Sequence, residues 1–249
     1  AMLTYDQVVG SVAKGLKHRV VMPIDFSNGG DAIVAEKSIA SVADFSGKQV
    51  GFNPLSPSDF LLAYALQTNG MTDKDIQPVN MTPEGIPSAM ASGSLPIGVT
   101  YEPNVSQILG MAGGDKFHVV YSSKDAPGLI TDVLAFDEDM IKAEPEAISA
   151  MIKGYQAGLE YMQAHPEESA EIIGKVLGVT GAEATEQMEG VYNIPLDEMG
   201  KNFVESEETT SFYGSGAVIA DLLVKNKQIP AVPDFADTFD PSFVNDLTQ

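Results

Sequence analysis

Residues 49–69 read QVGFNPLSPSDFLLAYALQTN, and the predicted fold depends on this stretch. Its first four residues are typical of a buried strand, Asn53 to Asp59 of a polar turn, and the apolar run that follows of a helix. The alternation continues along the chain, with strands predicted over 76–80, 97–100 and 117–122 and helices over 83–92 and 104–109. This spacing predicts an α/β domain with a mostly parallel sheet and helices on both of its faces.

The flanking regions add further elements of both kinds. Before the alternating stretch, the pattern predicts a helix over 2–16 and strands over 19–25 and 32–35. After it comes a strand over 130–136, and the remainder is mainly helical. A chain of 249 residues can bury about 70% of its unfolded surface, which is ample for a core.

The charge balance excludes several classes of function. The chain has 35 acidic and 14 basic side chains and a formal net charge of -21, with Arg19 as its single arginine. No basic stripe can neutralise a phosphate backbone, so we expect no nucleic-acid partner. An anionic membrane surface would also repel the chain. It has no run of eighteen apolar residues and opens without a basic-then-apolar leader, so no membrane span or signal peptide is predicted within it.

Catalytic and metal-binding motifs are absent from the sequence. The chain has no cysteine, which excludes disulfides, thiolate zinc sites and cysteine nucleophiles. It contains no G-x-S-x-G, P-loop or H-E-x-x-H motif, and His18, His118 and His165 lack the spacing of metal ligands. The sequence therefore predicts no catalytic residue, no metal site and no cofactor.

Polar loops recur where predicted strands end and helices begin. Ligands of open α/β sheets bind at this edge, where helix N-termini offer free N–H groups. Plain helix capping would also account for Ser27, Ser56 and Ser58. Tyr101 and Glu102 are more informative, because an aromatic face beside an acceptor suits a small molecule. The loops are Ser27 to Asp31, Asn53 to Asp59, Thr100 to Asn104, and Ser122 with Ser123.

Five motifs carry a resemblance to a known family. In chain order they are residues 25–35 (DFSNGGDAIVA), 43–51 (ADFSGKQVG), the helix start over 56–66, 99–103 (VTYEP) and 122–130 (SSKDAPGLI). Together they resemble the nitrate/sulfonate/taurine and thiamine-precursor family of ABC-transporter substrate-binding proteins.

The resemblance implies a type II periplasmic binding protein fold, with two α/β lobes joined by two crossing strands and a ligand cleft between them. The crossings would be Ile33 to Lys37 and Leu129 to Phe136. Lobe 1 would comprise 1–44 and 129–249, and lobe 2 would comprise 45–128. The family usually begins with a strand, a ligand loop and a helix that come before the first helix of this sequence, so lobe 1 would lack its usual first strands.

The same resemblance implies the ligand-binding residues. Ser27, Asn28 and Gly29 match the first-lobe loop that faces the cleft, and Ser56 and Ser58 match the start of the second-lobe helix that receives a polar ligand head. Tyr101 and Glu102 lie where the family more often has Trp-Glu-Pro, so the aromatic face is kept and the indole donor is lost. Ser122 and Ser123 would lie at the neighbouring strand end.

Charge bears on which solute would bind. Arg19 lies at the entry to a strand and away from the strand ends, so a sulfonate or nitrate would depend on backbone N–H groups, hydroxyls and Lys124. A strongly acidic protein gives no steering to an anion. A neutral heterocycle, an amide or an amine would fit the surface charge equally well.

The function implied is that of a non-enzymatic, monomeric, extracytoplasmic or periplasmic solute-binding protein, free or lipid-anchored, that delivers a small molecule to an ABC permease. One alternative is the ligand-binding sensor domain of a membrane receptor with the same fold. Another is the pyrimidine-forming enzyme of thiamine synthesis, but that relative carries a cysteine-rich motif that this sequence lacks.

Overall fold

A computed structural model describes the fold of residues 1–248. Its strands are β1 (Met2–Thr4), β2 (His18–Ser27), β3 (Asp31–Glu36), β4 (Gln49–Phe52), β5 (Gln77–Asn80), β6 (Ile97–Tyr101), β7 (Phe117–Ser122), β8 (Thr131–Asp137) and β9 (Val191–Asn193). Its α-helices are α1 (Tyr5–Val12), α2 (Pro57–Thr68), α3 (Ile86–Ala91), α4 (Asn104–Leu109), α5 (Glu138–Ala143), α6 (Pro145–Ala164), α7 (Pro166–Leu177), α8 (Gly181–Met188), α9 (Leu196–Met199), α10 (Phe212–Lys225) and α11 (Ser242–Leu247). None of these helices is both long and apolar enough to cross a bilayer.

The strands of the alternating stretch form a five-stranded sheet in the order β5-β4-β6-β3-β7. β4 is parallel to β5 and β6, while β3 lies between β6 and β7 and is antiparallel to both. The four strands predicted over 49–122 therefore share one direction, as alternation with helices requires. The sheet is nevertheless mixed, because β3 reaches it from outside that stretch.

A second sheet has four strands in the order β1-β8-β2-β9, and all of its neighbouring pairs are antiparallel. β1 and β9 were not predicted, since each has only three residues and forms by pairing with strands far away in the sequence. The α/β class is thus confirmed, but the molecule is built on one mixed and one antiparallel sheet.

The chain passes between the two sheets twice, over 28–30 and over 123–130. The predicted crossings, Ile33 to Lys37 and Leu129 to Phe136, are wrong. β3 is paired on both sides within the five-stranded sheet, and β8 is paired with β1 and β2 in the other. The apolar run Ala32 to Ala35 is fully buried, and a central strand satisfies it better than an exposed crossing does. Residues 31–36 therefore share a sheet with 49–122.

Each sheet has its own core. β3 alternates across its sheet, with Ile33 and Ala35 in the core on one face and Ala32 and Val34 in the core on the other. The four-stranded sheet packs against α1 and α10 around Tyr5, whose hydroxyl donates to the Phe212 carbonyl over 3.1 Å. Helix α2 contributes to both units, because Phe60 joins the core of the four-stranded sheet while Leu61 joins that of the five-stranded sheet.

Candidate functional site

A cleft of about 370 Å³ lies between the two sheets. Both sheets, Pro57 in the first turn of α2 and Gln187 in the last turn of α8 contribute to its wall. That volume is typical of a small-molecule site. The residues that line it are Thr4, Asp25, Ser27, Gly30, Asp31, Pro57, Tyr101, Glu102, Ile130, Asp132, Gln187 and Val191.

One wall of the cleft is a row of polar residues across the four-stranded sheet. Asp132 on β8 is the register partner of Thr4 on β1 and also of Asp25 on β2. Residues directly opposite each other on antiparallel strands extend to the same face. Two carboxylates therefore occupy neighbouring positions on the face that borders the cleft, an arrangement that is destabilising when both are charged.

The environment of these carboxylates raises their pKa values. Burial, with a further contribution from the charge of Asp132, raises the pKa of Asp25 to about 7. Burial raises the pKa of Asp31 to about 6, the Ser27 hydroxyl opposes this shift and the charge of Asp132 adds to it. Burial also raises the pKa of Asp132. At neutral pH the cleft therefore holds carboxylates close to their titration range.

The second wall belongs to the five-stranded sheet. Asp31 at the start of β3 is the register partner of Tyr101 at the end of β6. Tyr101 is 41% exposed, so much of its ring remains open to a ligand. The Glu102 carboxylate accepts hydrogen bonds from the Ser106 backbone N–H at 3.0 Å and the Ser106 hydroxyl at 2.9 Å. Glu102 thus caps α4, while Tyr101 supplies an open aromatic face.

The first passage between the sheets is held by a pair of serines. The Ser27 and Ser123 hydroxyl oxygens lie 2.8 Å apart, and the Gly29 N–H donates to Ser123 Oγ over 2.6 Å. Ser27 Oγ also accepts from the Asp31 N–H at 3.0 Å. These bonds tie the two passages together at the floor of the cleft.

The structure places the nine predicted site residues in different roles. Ser27, Tyr101 and Glu102 line the cleft. Ser123 and Gly29 support its floor, and the Asn28 N–H donates to the Gly190 carbonyl. On α2, the Ser56 hydroxyl donates to the Asn53 carbonyl and Ser58 is buried, so Pro57 is the residue of this turn that lines the cleft. Ser122 forms a capping box with Asp125.

Sequence reasoning missed Thr4, Asp25, Asp31 and Asp132 as one group. Asp25 lies two residues before the loop Ser27 to Asp31 and Asp31 is the last residue of that loop, and a carboxylate that follows a buried strand is a visible signal. Asp132 lies inside an otherwise apolar strand, which is also visible. Their convergence was not visible, because it depends on the register between strands more than a hundred residues apart.

Basic groups are absent from the described residues that line the cleft. Arg19 lies at the start of β2, where its guanidinium is 2.8 Å from the Glu138 carboxylate and also donates to the Ala236 carbonyl. The Lys124 side chain crosses over Gly29, where a built Cβ would come within 2.8 Å of Lys124 Cε. Over residues 1–248, no group of three or more His, Asp or Glu side chains is arranged to hold a metal ion.

A second cavity of about 240 Å³ lies between α2 and α10. Its wall is mainly apolar, and at its rim Lys225 Nζ lies 2.7 Å from the Asp73 carboxylate. This ion pair links the helix that packs on the four-stranded sheet to the turn that precedes β5.

Comparison with known proteins agrees with this architecture. Residues 4–169 match the model of the family described as NMT1/THI5 like. A protein of Brucella abortus (strain 2308), named as a binding protein, is 27% identical over 178 residues, which cover 69% of this chain and 54% of the relative. The chain thus spans about half the length of the curated relatives that it matches.

Solved structures share the fold at low sequence identity. The periplasmic aliphatic sulphonate binding protein SsuA of Escherichia coli superposes with a TM-score of 0.79 at 19% identity, over 96% of this chain and 75% of that protein. The alkanesulfonate-binding protein SsuA of Xanthomonas axonopodis pv. citri gives 0.69 at 15% identity, over 94% and 76%. The desulfurization enzyme DszB gives 0.68 at 12% identity, over 97% and 82%. Binding proteins and an enzyme therefore share this arrangement of sheets.

Proposed function

The chain belongs to the NMT1/THI5-like family, and from this premise we propose that it is an extracytoplasmic solute-binding protein that captures a small polar molecule and delivers it to an ABC permease. The observation that carries the proposal is the cleft, which both sheets line with polar side chains around an open aromatic ring. Binding proteins with periplasmic roles have the same fold.

Capture works by closure of one lobe on the other. The four-stranded sheet with its helices forms one lobe, the five-stranded sheet forms the other, and the passages over 28–30 and 123–130 are the hinges. A ligand that touches Asp25 on one side and Tyr101 on the other contacts both lobes, so it binds the closed state more tightly than the open one. That difference in affinity drives closure.

The composition of the cleft supports binding without a chemical step. Its lining consists of carboxylates, a few hydroxyls, one amide and apolar groups, and the chain has no cysteine. The described lining residues include no histidine, lysine or cysteine, so the Ser–His, Cys–His and amine nucleophile arrangements are not found among them. We propose further that the protein is monomeric, carries no cofactor and turns over no substrate, and that its macromolecular partner is a membrane permease.

The test is a solute screen by thermal unfolding. The purified chain is scanned against a panel of amines, amides, neutral heterocycles, sulfonates and inorganic oxyanions, and native mass spectrometry checks for a retained adduct. A ligand at about a hundred times its Kd stabilises the folded state by about 2.7 kcal/mol, which raises Tm by several degrees. Small-angle scattering with each solute found should then show a smaller radius of gyration. If no panel member moves Tm and no adduct is retained, or if a solute is converted to product, the proposal fails.

A further inference from the structure

Resting on the proposed solute-binding function, we propose that the cleft selects a small organic cation. A protonated amine or amidinium would lie between Asp25, Asp132 and Asp31, and its apolar portion would lie against the ring of Tyr101. The sulfonates named for the structural neighbours would be a different class of ligand.

The first observation is that the carboxylates lack compensating charge. Asp25 and Asp132 are opposite each other in the sheet register, and both line the cleft. Within residues 1–248, the ion pairs and side-chain hydrogen bonds involve neither carboxylate. Asp25 is half-buried and Asp132 is open to the cleft, so solvent or a bound cation is what offsets the repulsion between these two neighbouring carboxylates. An ammonium group, with three donors and one positive charge, supplies what both carboxylates lack.

The second observation is independent of the acidic pair. Thr4 Oγ1 is buried, lines the same cleft, and makes no hydrogen bond of good geometry within residues 1–248, although the Thr4 hydroxyl lies near enough to the Asp6 carboxylate to lower the pKa of Asp6. Asp31, on the opposite wall, is only 8% exposed, and within residues 1–248 it forms no ion pair, so the Ser27 hydroxyl is the donor that offsets part of the effect of burial on its carboxylate. Each of these polar groups faces the cleft from a different sheet. A donor-rich ligand between the walls would give each of them a further hydrogen-bond donor, since a hydroxyl oxygen and a carboxylate both have acceptor capacity left.

The pKa values of the aspartates in the cleft are raised, as expected for carboxylates that lie close together with no basic side chain beside them in the described part of the chain. The raised pKa values of Asp25 and Asp31 come mainly from burial, with the charge of Asp132 as a further cause. Burial also raises the pKa of Asp6, which lies next to this row, while the Thr4 hydroxyl opposes that shift and the charge of Asp132 adds to it. A cation that entered the cleft would favour the charged carboxylates and shift all of these groups toward their ordinary values.

The carboxylates of the cleft exclude an anionic ligand, and their arrangement disfavours a bare metal ion. A sulfonate or nitrate would add a negative charge beside three carboxylates, and the described lining residues include no basic group to offset it. A divalent metal needs several carboxylate oxygens converging at bonding distance, and among residues 1–248 no such group of ligands is present. Because polar groups line the cleft from both sheets, an organic molecule with several donors suits it better than a bare ion.

Three probes with one scaffold separate the charge classes. Benzylamine is the cation, benzyl alcohol the neutral analogue and phenylmethanesulfonate the anion, and putrescine tests a second amine without a ring. Binding is measured by calorimetry at about pH 8. We expect benzylamine to bind about tenfold or more tightly than benzyl alcohol, because a hydrogen-bonded charge pair is stronger than a neutral one. Phenylmethanesulfonate should not bind detectably.

Variants locate the site of binding. Asp25→Asn and Asp132→Asn keep the side-chain shape and remove the charge, so each should weaken benzylamine about tenfold or more and leave benzyl alcohol unchanged. Asp115→Asn is the matched control, since the Asp115 side chain is 95% exposed and outside the cleft. Thermal unfolding of each variant confirms that it folds.

The pH dependence has a defined sign. Benzylamine affinity should fall between about pH 8 and about pH 5, as Asp25 and Asp31 take up protons, whereas an anion would bind better at low pH. The titratable groups that face this row are Asp6, Asp25, Asp31, Tyr101, Glu102, Asp132 and Tyr155.

The outcomes distinguish this inference from the function on which it rests. Tighter binding of the amines, lost in the cleft variants and kept in Asp115→Asn, supports the cation assignment. If only the neutral or anionic probe binds, or if amine binding is indifferent to the two substitutions, the assignment is overturned and the solute-binding function stands. If neither these probes nor the wider panel binds, both fail.

Discussion

At the scale of single residues, Asp25 lines the cleft and lowers the stability of the unliganded protein when its carboxyl group ionises. It is half-buried in β2, opposite a second carboxylate, and burial and that neighbour raise its pKa to about 7. A raised pKa means that the folded chain binds the proton more tightly than the unfolded chain. Stability from this group is therefore greatest below pH 4 and falls as the pH rises toward 7.

We predict from this that Asp25→Asn stabilises the unliganded protein. Asparagine carries no charge, so the variant escapes the desolvation and the repulsion that the wild type suffers once Asp25 ionises. Its advantage in Tm should grow between about pH 5 and about pH 8, by about 2–4 °C for each kcal/mol gained. Thermal unfolding across this range, with Asp115→Asn as the exposed control, measures it. A variant less stable than the wild type at about pH 8 would contradict the account.

Tyr101 is the residue on the opposite wall with the clearest expected effect on binding. Its ring is largely open, so Tyr101→Ala removes a stacking face without emptying a core. An aromatic contact contributes about 1 kcal/mol or more beyond the area it buries, and we expect benzylamine affinity to drop about tenfold or more. Calorimetry on Tyr101→Ala and Tyr101→Phe checks this.

Tyr101→Phe is the control for the hydroxyl. It should retain binding close to that of the wild type, since the predicted contact is with the ring face. Equal affinities for all three proteins would instead assign the Tyr101 ring to packing. Tyr101 could be selected from the sequence, because an aromatic face beside an acceptor at a strand end suits a small molecule, although the neighbouring Glu102 also caps α4. The pairing of Asp25 with Asp132 could not be predicted from the sequence, because which strand positions are neighbours depends on pairing between distant parts of the chain.

At the scale of elements, local sequence patterns predicted the individual strands and helices better than the order of the strands in the sheets. The strand predicted over 49–52 and the helix predicted over 104–109 have the same bounds in β4 and α4. Their apolar periodicity and flanking turn residues are local signals. The position of β3 within the five-stranded sheet depends on its pairing with β6 and β7, which follow it by sixty residues or more. Short strands such as β9 exist only through such pairing.

The second passage between the sheets contains a glycine that the fold requires. Gly128 has a φ of +78°, and a Cβ built there would come within 2.6 Å of the Thr209 carbonyl oxygen and of Thr210 Cα. The neighbouring contacts tie this passage to the same loop, since Thr209 Oγ1 donates to the Pro127 carbonyl over 2.6 Å. Both backbone conformation and close backbone packing therefore exclude a side chain.

We predict that Gly128→Ala destabilises the protein by about 2 kcal/mol or more, through the left-handed backbone and the clash together. Gly93→Ala separates the two causes. Gly93 has a nearly equal φ of +77° and open space around its built Cβ, so only the conformational cost of about 1 kcal/mol applies. Chemical denaturation of both variants measures the difference. Equal losses would show that the contact with the 209–210 loop has no energetic weight.

At the scale of the whole molecule, the net charge of -21 acts on folding and on binding in opposite senses. Self-repulsion destabilises the compact state, whereas the same field attracts a cation toward the cleft. Arg19 and Lys225 offset the field only locally, because their charges are paired with Glu138 and Asp73. The distance over which exposed charges interact becomes shorter as the salt concentration rises. Salt should therefore change both the stability of the fold and the affinity for a cation.

We therefore predict opposite responses to NaCl between about 10 mM and about 150 mM, a range over which the Debye length falls from ~30 Å to ~8 Å. The Tm of the unliganded protein should rise, because repulsion among the carboxylates is screened. The association constant of benzylamine should fall, because steering and the long-range attraction of the cation are screened as well, while that of benzyl alcohol should stay the same. Differential scanning calorimetry and titration calorimetry on one preparation give both numbers. A benzylamine affinity that does not respond to salt would mean that the acidic field takes no part in recognition, and a parallel fall for benzyl alcohol would show that salt acts on the fold of the cleft instead of on the charge of the ligand.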